Sequence, residues 1–188
     1  MELIGTYLVA CVLLVTAGVA KALRPGDTAR ALAAMLEARS IRGARPGVLR
    51  TAVRLGALAE AVLGIVAIAL PRPLTATLVG ASYVAFAGVV TYARATGSPL
   101  ATCGCFATPD SPATLLHVAL DVLLGAAALV VASGAPHTGS IRDVLAHQPL
   151  GGVALLVVVG VGTWLAYLAF TVMGSLESAR RLGGVRHR

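Results

Sequence analysis

Residues 52–70 read AVRLGALAEAVLGIVAIAL and residues 74–93 read LTATLVGASYVAFAGVVTYA, with only Pro71-Arg72-Pro73 between them. Each stretch is close to the roughly 20 apolar residues that an α-helix needs to cross the hydrocarbon core of a bilayer. Proline cannot continue a helix through the link, and a link this short leaves room only for a tight turn. The segment therefore reads as a transmembrane helical hairpin, and it sets the frame for the rest of the chain.

Three more apolar runs flank it, at about 3–22, 113–132 and 150–173. The fold class is all-α: an integral membrane helical bundle of about five transmembrane helices. Residues 1–175 form the transmembrane domain, and 176–188 form a basic tail ending in Arg186 and Arg188. Composition agrees, since the 188 residues are 57% hydrophobic and 12% charged with mean hydropathy +0.87, far from a water-soluble domain. The first run carries Glu2 rather than a positive n-region, so it reads as an uncleaved span despite Ala20-Lys21-Ala22. Between Pro25 and Arg50, Ala31, Leu32, Met35 and Leu36 share one helical side while Arg30, Glu37 and Arg39 lie largely elsewhere. That pattern predicts a short amphipathic helix lying on the membrane surface, with a plain loop as the alternative.

A net charge of +7 raises the question of nucleic acid. The positive residues, however, lie between or after the apolar runs, which suits membrane orientation and contact with membrane lipid, not a nucleic-acid groove. With five spans, one face collects Lys21, Arg24, Arg30, Arg39, Arg42, Arg45, Arg50, Arg54, Arg94 and the tail arginines Arg180, Arg181, Arg186 and Arg188. The opposite face holds only Arg72 and Arg142. Basic residues stay on the cytoplasmic side, so the expected topology is N-terminus outside and C-terminus inside a bacterial plasma (inner) membrane.

On the basic face, between the third and fourth runs, stands Cys103-Gly104-Cys105. Two thiols this close can close a small, strained and easily reduced disulfide ring, or hold a soft ion such as Cu(I) or Zn(II). The third cysteine, Cys11, falls inside the first span and reads as a packing residue, so no disulfide framework is implied. Polar residues within the apolar runs are the other candidates. Glu60 and Asp121 each lie about eight residues into a span, about 12 Å below the same face at 1.5 Å per residue. Ionised carboxylates are costly at that depth, so both should face the bundle interior, as proton carriers or as polar glue between helices. His117 is one turn from Asp121 and nearer the thiol loop, where a His–Asp pair could hold a proton; an inert interfacial residue is the alternative. Lys21 closes the first span on that face, placed either to favour a thiolate or to extend towards headgroups. Ala17, Gly18, Gly56, Gly64, Gly80 and Gly88 are expected to allow close helix packing, and Tyr83, Tyr92, Trp164 and Tyr167 to act as packing or interface anchors.

These residues resemble a known family. Ala17-Gly18-Val19-Ala20-Lys21 with Pro25, and Glu60-Ala61-Val62-Leu63-Gly64, look like motifs of the DoxX-like membrane proteins. Cys103-Gly104-Cys105-Phe106, followed by a span with a charged position at Asp121, is similar to the MauE branch associated with methylamine utilisation. The resemblance implies a redox-associated inner-membrane protein that supports maturation of a disulfide-rich methylamine dehydrogenase together with a thioredoxin-like or other dithiol partner. It also implies a quinone as electron carrier, by analogy with DoxX-type sulfur-compound oxidation. On this reading Cys103 and Cys105 perform thiol–disulfide exchange, His117 or Lys21 stabilises the thiolate, and Glu60 and Asp121 manage protons. A Cu(I) or zinc site formed by Cys103, Cys105 and His117, and a non-catalytic scaffold that recruits a redox enzyme, remain as alternatives. The charge count places the thiol pair inside the cell, whereas disulfide formation in that pathway takes place outside, so a transmembrane relay, another thiol substrate or a span count that differs by one is implied.

Overall fold

A computed structural model of the protein describes residues 2–38, 45–96, 115–134 and 152–169. The described residues form six helices: α1 (Glu2–Leu23), α2 (Pro25–Ala38), α3 (Pro46–Ala69), α4 (Pro73–Thr96), α5 (Leu115–Ala132) and α6 (Gly152–Ala169). All but α2 are long and apolar enough to cross a membrane. Side chains such as Leu58, Val62, Ile65, Leu78, Val84, Leu123, Val157 and Val161 stand exposed on their outer faces, an apolar surface suited to lipid and not to water. The protein is an all-α, multi-pass membrane protein. Cys103, Cys105, loop 135–151 and the tail 176–188 lie outside the described residues.

α1 is the central and most buried helix, with Tyr7, Ala10, Cys11 and Leu14 sealed in the core. It packs most extensively on α3, while α4 packs most extensively on α5, so the bundle is two tight helix pairs joined across α1 and α5. Small residues make each pair tight. A Cβ on Gly18 would stand 2.6 Å from the Ala57 carbonyl oxygen, and one on Gly64 would stand 2.8 Å from that of Cys11. In the second pair, a Cβ on Gly80 would meet Leu129 at 2.8 Å and one on Gly125 would meet the Tyr83 Cβ at 3.2 Å. In a membrane there is little hydrophobic gain from helix association, so this close backbone approach supplies the dispersion contacts instead. Gly56 and Gly88, expected in the same role, have no neighbouring group within 4 Å of a built Cβ and do not pack helices together among the described residues.

The hairpin turn forms as its prolines dictate. Pro73 starts α4, where a missing N–H costs nothing. The Thr75 hydroxyl accepts from the Arg72 N–H at 3.1 Å and satisfies a donor that the turn would otherwise strand. Two boundaries differ from the sequence reading. α3 begins at Pro46, six residues before the apolar run at 52, with Arg45 in extended conformation (φ −63, ψ 128) ahead of the N-terminal proline. Its 24 residues rise about 36 Å, more than the hydrocarbon core, so the first turns with Arg50 project beyond it. The α2 helix is present, but it is not simply laid on lipid: Ala31 is buried with Ala93 near the end of α4, with Met35 packed alongside, while Asp27 and Arg30 pair on the exposed side.

Candidate functional site

The chain topology brings the ends of α1 and α4 and the starts of α3 and α5 to one end of the bundle. The segment 97–114, which carries Cys103 and Cys105, connects Thr96 of α4 to Leu115 of α5 at that same end. Three of the four charged or titratable side chains singled out within the spans meet near that end of the bundle.

Lys21, in the last turn of α1, turns inward and not out to headgroups. Its Nζ lies 2.5 Å from Glu60 Oε2 on α3, with side-chain exposures of 12% and 23%. The antiparallel α1–α3 contact explains the match: Gly18 sits against Ala57 and Ala61, which places Lys21 one turn along α1 beside the helical face that carries Glu60. The same ammonium lies 4.5 Å from the centroid of the Phe86 ring on α4. Cation–π attraction at such a site adds roughly 0.5–2 kcal/mol. Phe86 is held edge-on to Tyr83 (centroids 6.1 Å apart, interplanar 90°), and the Tyr83 hydroxyl donates to the Ala10 carbonyl at 2.7 Å. Lys21 therefore ties α1 to α3 and α4 at once.

Asp121 faces the same region from α5. It is 1% exposed, and its Oδ2 has no hydrogen-bond partner among the described residues. The Lys21 charge reaches it electrostatically. His117, one turn earlier on α5, shares the buried face and is 4% exposed, which places it in the bundle and not at an interfacial position facing headgroups. A buried carboxylate and a buried lysine in a membrane interior are costly unless they serve each other, so the cluster is a charge centre shared by four helices.

Sequence reasoning selected Lys21, Glu60, Asp121 and His117, and the structure brings the first three together. It did not find Phe86, since a single aromatic in an apolar span carries no distinguishing signal; only its position three residues after Tyr83 hints at a shared face. Gly125 was missed for the same reason. Cys11 is fully buried in the α1 core, as its position in the span implied. Trp164 and Tyr167 stack on exposed α6, where aromatic side chains suit a membrane interface.

A second feature is lined by none of the cluster residues. Between α1, α5 and α6 lies an apolar cavity of about 710 Å³, lined by residues including Val9, Leu120, Leu124, Leu155, Val158 and Leu165. Its walls would accommodate an isoprenoid or acyl tail. Among the described residues they offer Thr6 as the only side-chain polar group, too little to hold a quinone head, so this donor set does not fit that cofactor.

Fold and site together define a multi-pass helical membrane protein with a lysine–dicarboxylate centre inside the bundle. A family profile described as "Methylamine utilisation protein MauE" matches residues 2–136, which covers α1 to α5. The chain belongs to the MauE family. No curated protein and no solved structure matches it.

Proposed function

We propose that the protein is a membrane thiol–disulfide redox protein whose working pair is Cys103 and Cys105. The observation that carries this reading is the joining of a Cys-Gly-Cys segment to the bundle end that lies above a buried charge centre, in a chain of the MauE family. One cysteine, as thiolate, attacks a partner disulfide; the partner S–S bond breaks and a mixed disulfide forms. The second cysteine displaces the remaining partner sulfur, leaving a Cys103–Cys105 disulfide and a partner dithiol. Two electrons pass to the partner, and the two thiol protons end on its sulfurs. The reverse sequence oxidises a partner dithiol, and the small ring formed by Cys103 and Cys105 favours that direction because its strain makes it a good oxidant.

The partner class is a thioredoxin-like or other dithiol protein. Glu60 and Asp121 are the acids through which protons enter or leave the bundle, and His117 is the imidazole nearest the thiol segment along α5. The asymmetry of basic residues supports an orientation with the thiol pair and C-terminus in the cytoplasm and the N-terminus outside. The chemistry requires only a dithiol partner, with no step through a quinone.

Trapping tests this reading. Cys103→Ser and Cys105→Ser are each expressed, and adducts are resolved on non-reducing gels. One of the two is expected to accumulate a covalent adduct that a dithiol reductant dissolves. Absence of any adduct from both, with wild-type thiols that never change redox state, would count against the redox reading. Loss of thiol labelling on adding Cu(I) or zinc would instead favour the metal site.

A further inference from the structure

The two acids of the charge centre are unequal in a way that the redox reading does not explain. Glu60 has the lysine, and its side chain is 23% exposed; Asp121 has no hydrogen-bond partner at Oδ2 among the described residues and is 1% exposed. An ionised carboxylate sealed with one oxygen unpartnered is strongly disfavoured, and a single ammonium cannot fully neutralise two carboxylates. We propose that Lys21, Glu60 and Asp121 form a one-proton transfer unit in which the proton and the lysine exchange places. In the arrangement seen, Lys21 sits on Glu60, and the unit then carries its proton on Asp121. When Lys21 swings to Asp121, the proton moves to Glu60.

Charge balances at every stage: one ammonium, one carboxylate and one carboxylic acid, net zero, so no uncompensated charge is ever left in the bilayer interior. The groups that surround Lys21, together with those on α5 beside Asp121, fit this count. α1 contributes Lys21, α3 contributes Glu60, α4 contributes Phe86 with Tyr83 behind it, and α5 itself contributes His117 one turn away. Tyr83 is committed to the Ala10 carbonyl and Phe86 has no proton to give. The Phe86 ring provides a third partner for the ammonium, a charge-neutral resting surface for a lysine that changes acceptors. The exchange carries a proton between a sealed position on α5 and a more accessible one on α3, and it links the α1–α3 pair to the α4–α5 pair through the one side chain that moves. Its use in thiol chemistry rests on the redox reading above; its existence does not.

Infrared spectroscopy of the full chain in lipid bilayers, in a Cys103→Ser/Cys105→Ser background, tests the unit apart from any redox activity. At neutral pH the protein is expected to show a protonated-carboxyl C=O band equivalent to one proton per chain. The band should shift on ¹³C-aspartate labelling and vanish in Asp121→Asn. Glu60→Gln mimics the protonated glutamate, so Lys21 should move to Asp121 and the aspartate band should fall at least several-fold. No band, or two protonated carboxyls per chain, in the unsubstituted cluster overturns the proposal. An aspartate band kept at full intensity in folded Glu60→Gln overturns the exchange. Should Glu60→Gln fail to fold, the count of protons per chain decides alone.

Discussion

Lys21 is the residue on which the charge centre turns, because it meets Glu60 on α3 and Phe86 on α4 and its charge reaches Asp121 on α5. Removing its counter-charge should hurt more than removing the pair. Glu60→Ala removes the carboxylate that holds the ammonium in place and leaves Lys21 only the sealed Asp121 as an acid partner, and the expected loss is about 3 kcal/mol, the low end of the range for breaking a buried ion pair from one side. Replacing both partners by apolar residues, Lys21→Met with Glu60→Leu, should recover most of it, since an apolar pair carries no desolvation cost. Reversible unfolding in mixed micelles measures both; a double variant no more stable than Glu60→Ala would show that the pair is not the source of the loss. Phe86→Leu keeps the volume but removes the ring face, and should cost about 1 kcal/mol in the same assay. The two acids were legible in the sequence because charge in a membrane span always needs a reason. Their partner was not. Lys21 stands at the end of a span, where headgroups, a thiolate and a neighbouring helix all suit an ammonium, and only the α1–α3 contact selects Glu60.

At the scale of the helix, glycine decides which faces meet. Gly18 and Gly64 let α1 and α3 touch backbone to backbone, and the Lys21–Glu60 pair depends on that register. Gly18→Val and Gly64→Val should therefore separate the two helices and lower thermal stability sharply, whereas Gly56→Val, on the same helix as Gly64 but facing open space, should leave it within about 0.5 kcal/mol. Equal losses at Gly56 and Gly64 would contradict the packing. The five spans could be read from length and hydropathy, because bilayer thickness imposes a length on every apolar run. The faces of those spans could not, since lipid and protein interior are equally apolar and no alternation of polarity marks the inner side. That is why Gly56 and Gly88 looked equivalent to Gly64 and Gly80 in sequence. The early start of α3 escaped for a related reason: Pro46 and the polar turns with Arg50 form helix beyond the hydrocarbon, where hydropathy gives no signal.

At the scale of the molecule, the family profile spans α1 to α5, while α6 is added beyond it against α1, with Leu155 and Val159 buried and Gly162 close to Val9. The four-helix charge centre therefore lies wholly within the family-matched region, and the α6 cavity lies at its edge. The central claim is that a redox-active thiol pair works at the bundle end above that centre. The most direct measurement is labelling of Cys103 and Cys105 in intact cells with a membrane-impermeant maleimide, before and after reduction, in a Cys11→Ala background that removes the thiol buried in α1. Labelling that appears only after the cells are opened and the protein is reduced is the expected result, showing a cytoplasmic pair that had been held as a disulfide. Thiols that label equally with and without reduction, and never change state, would contradict the account.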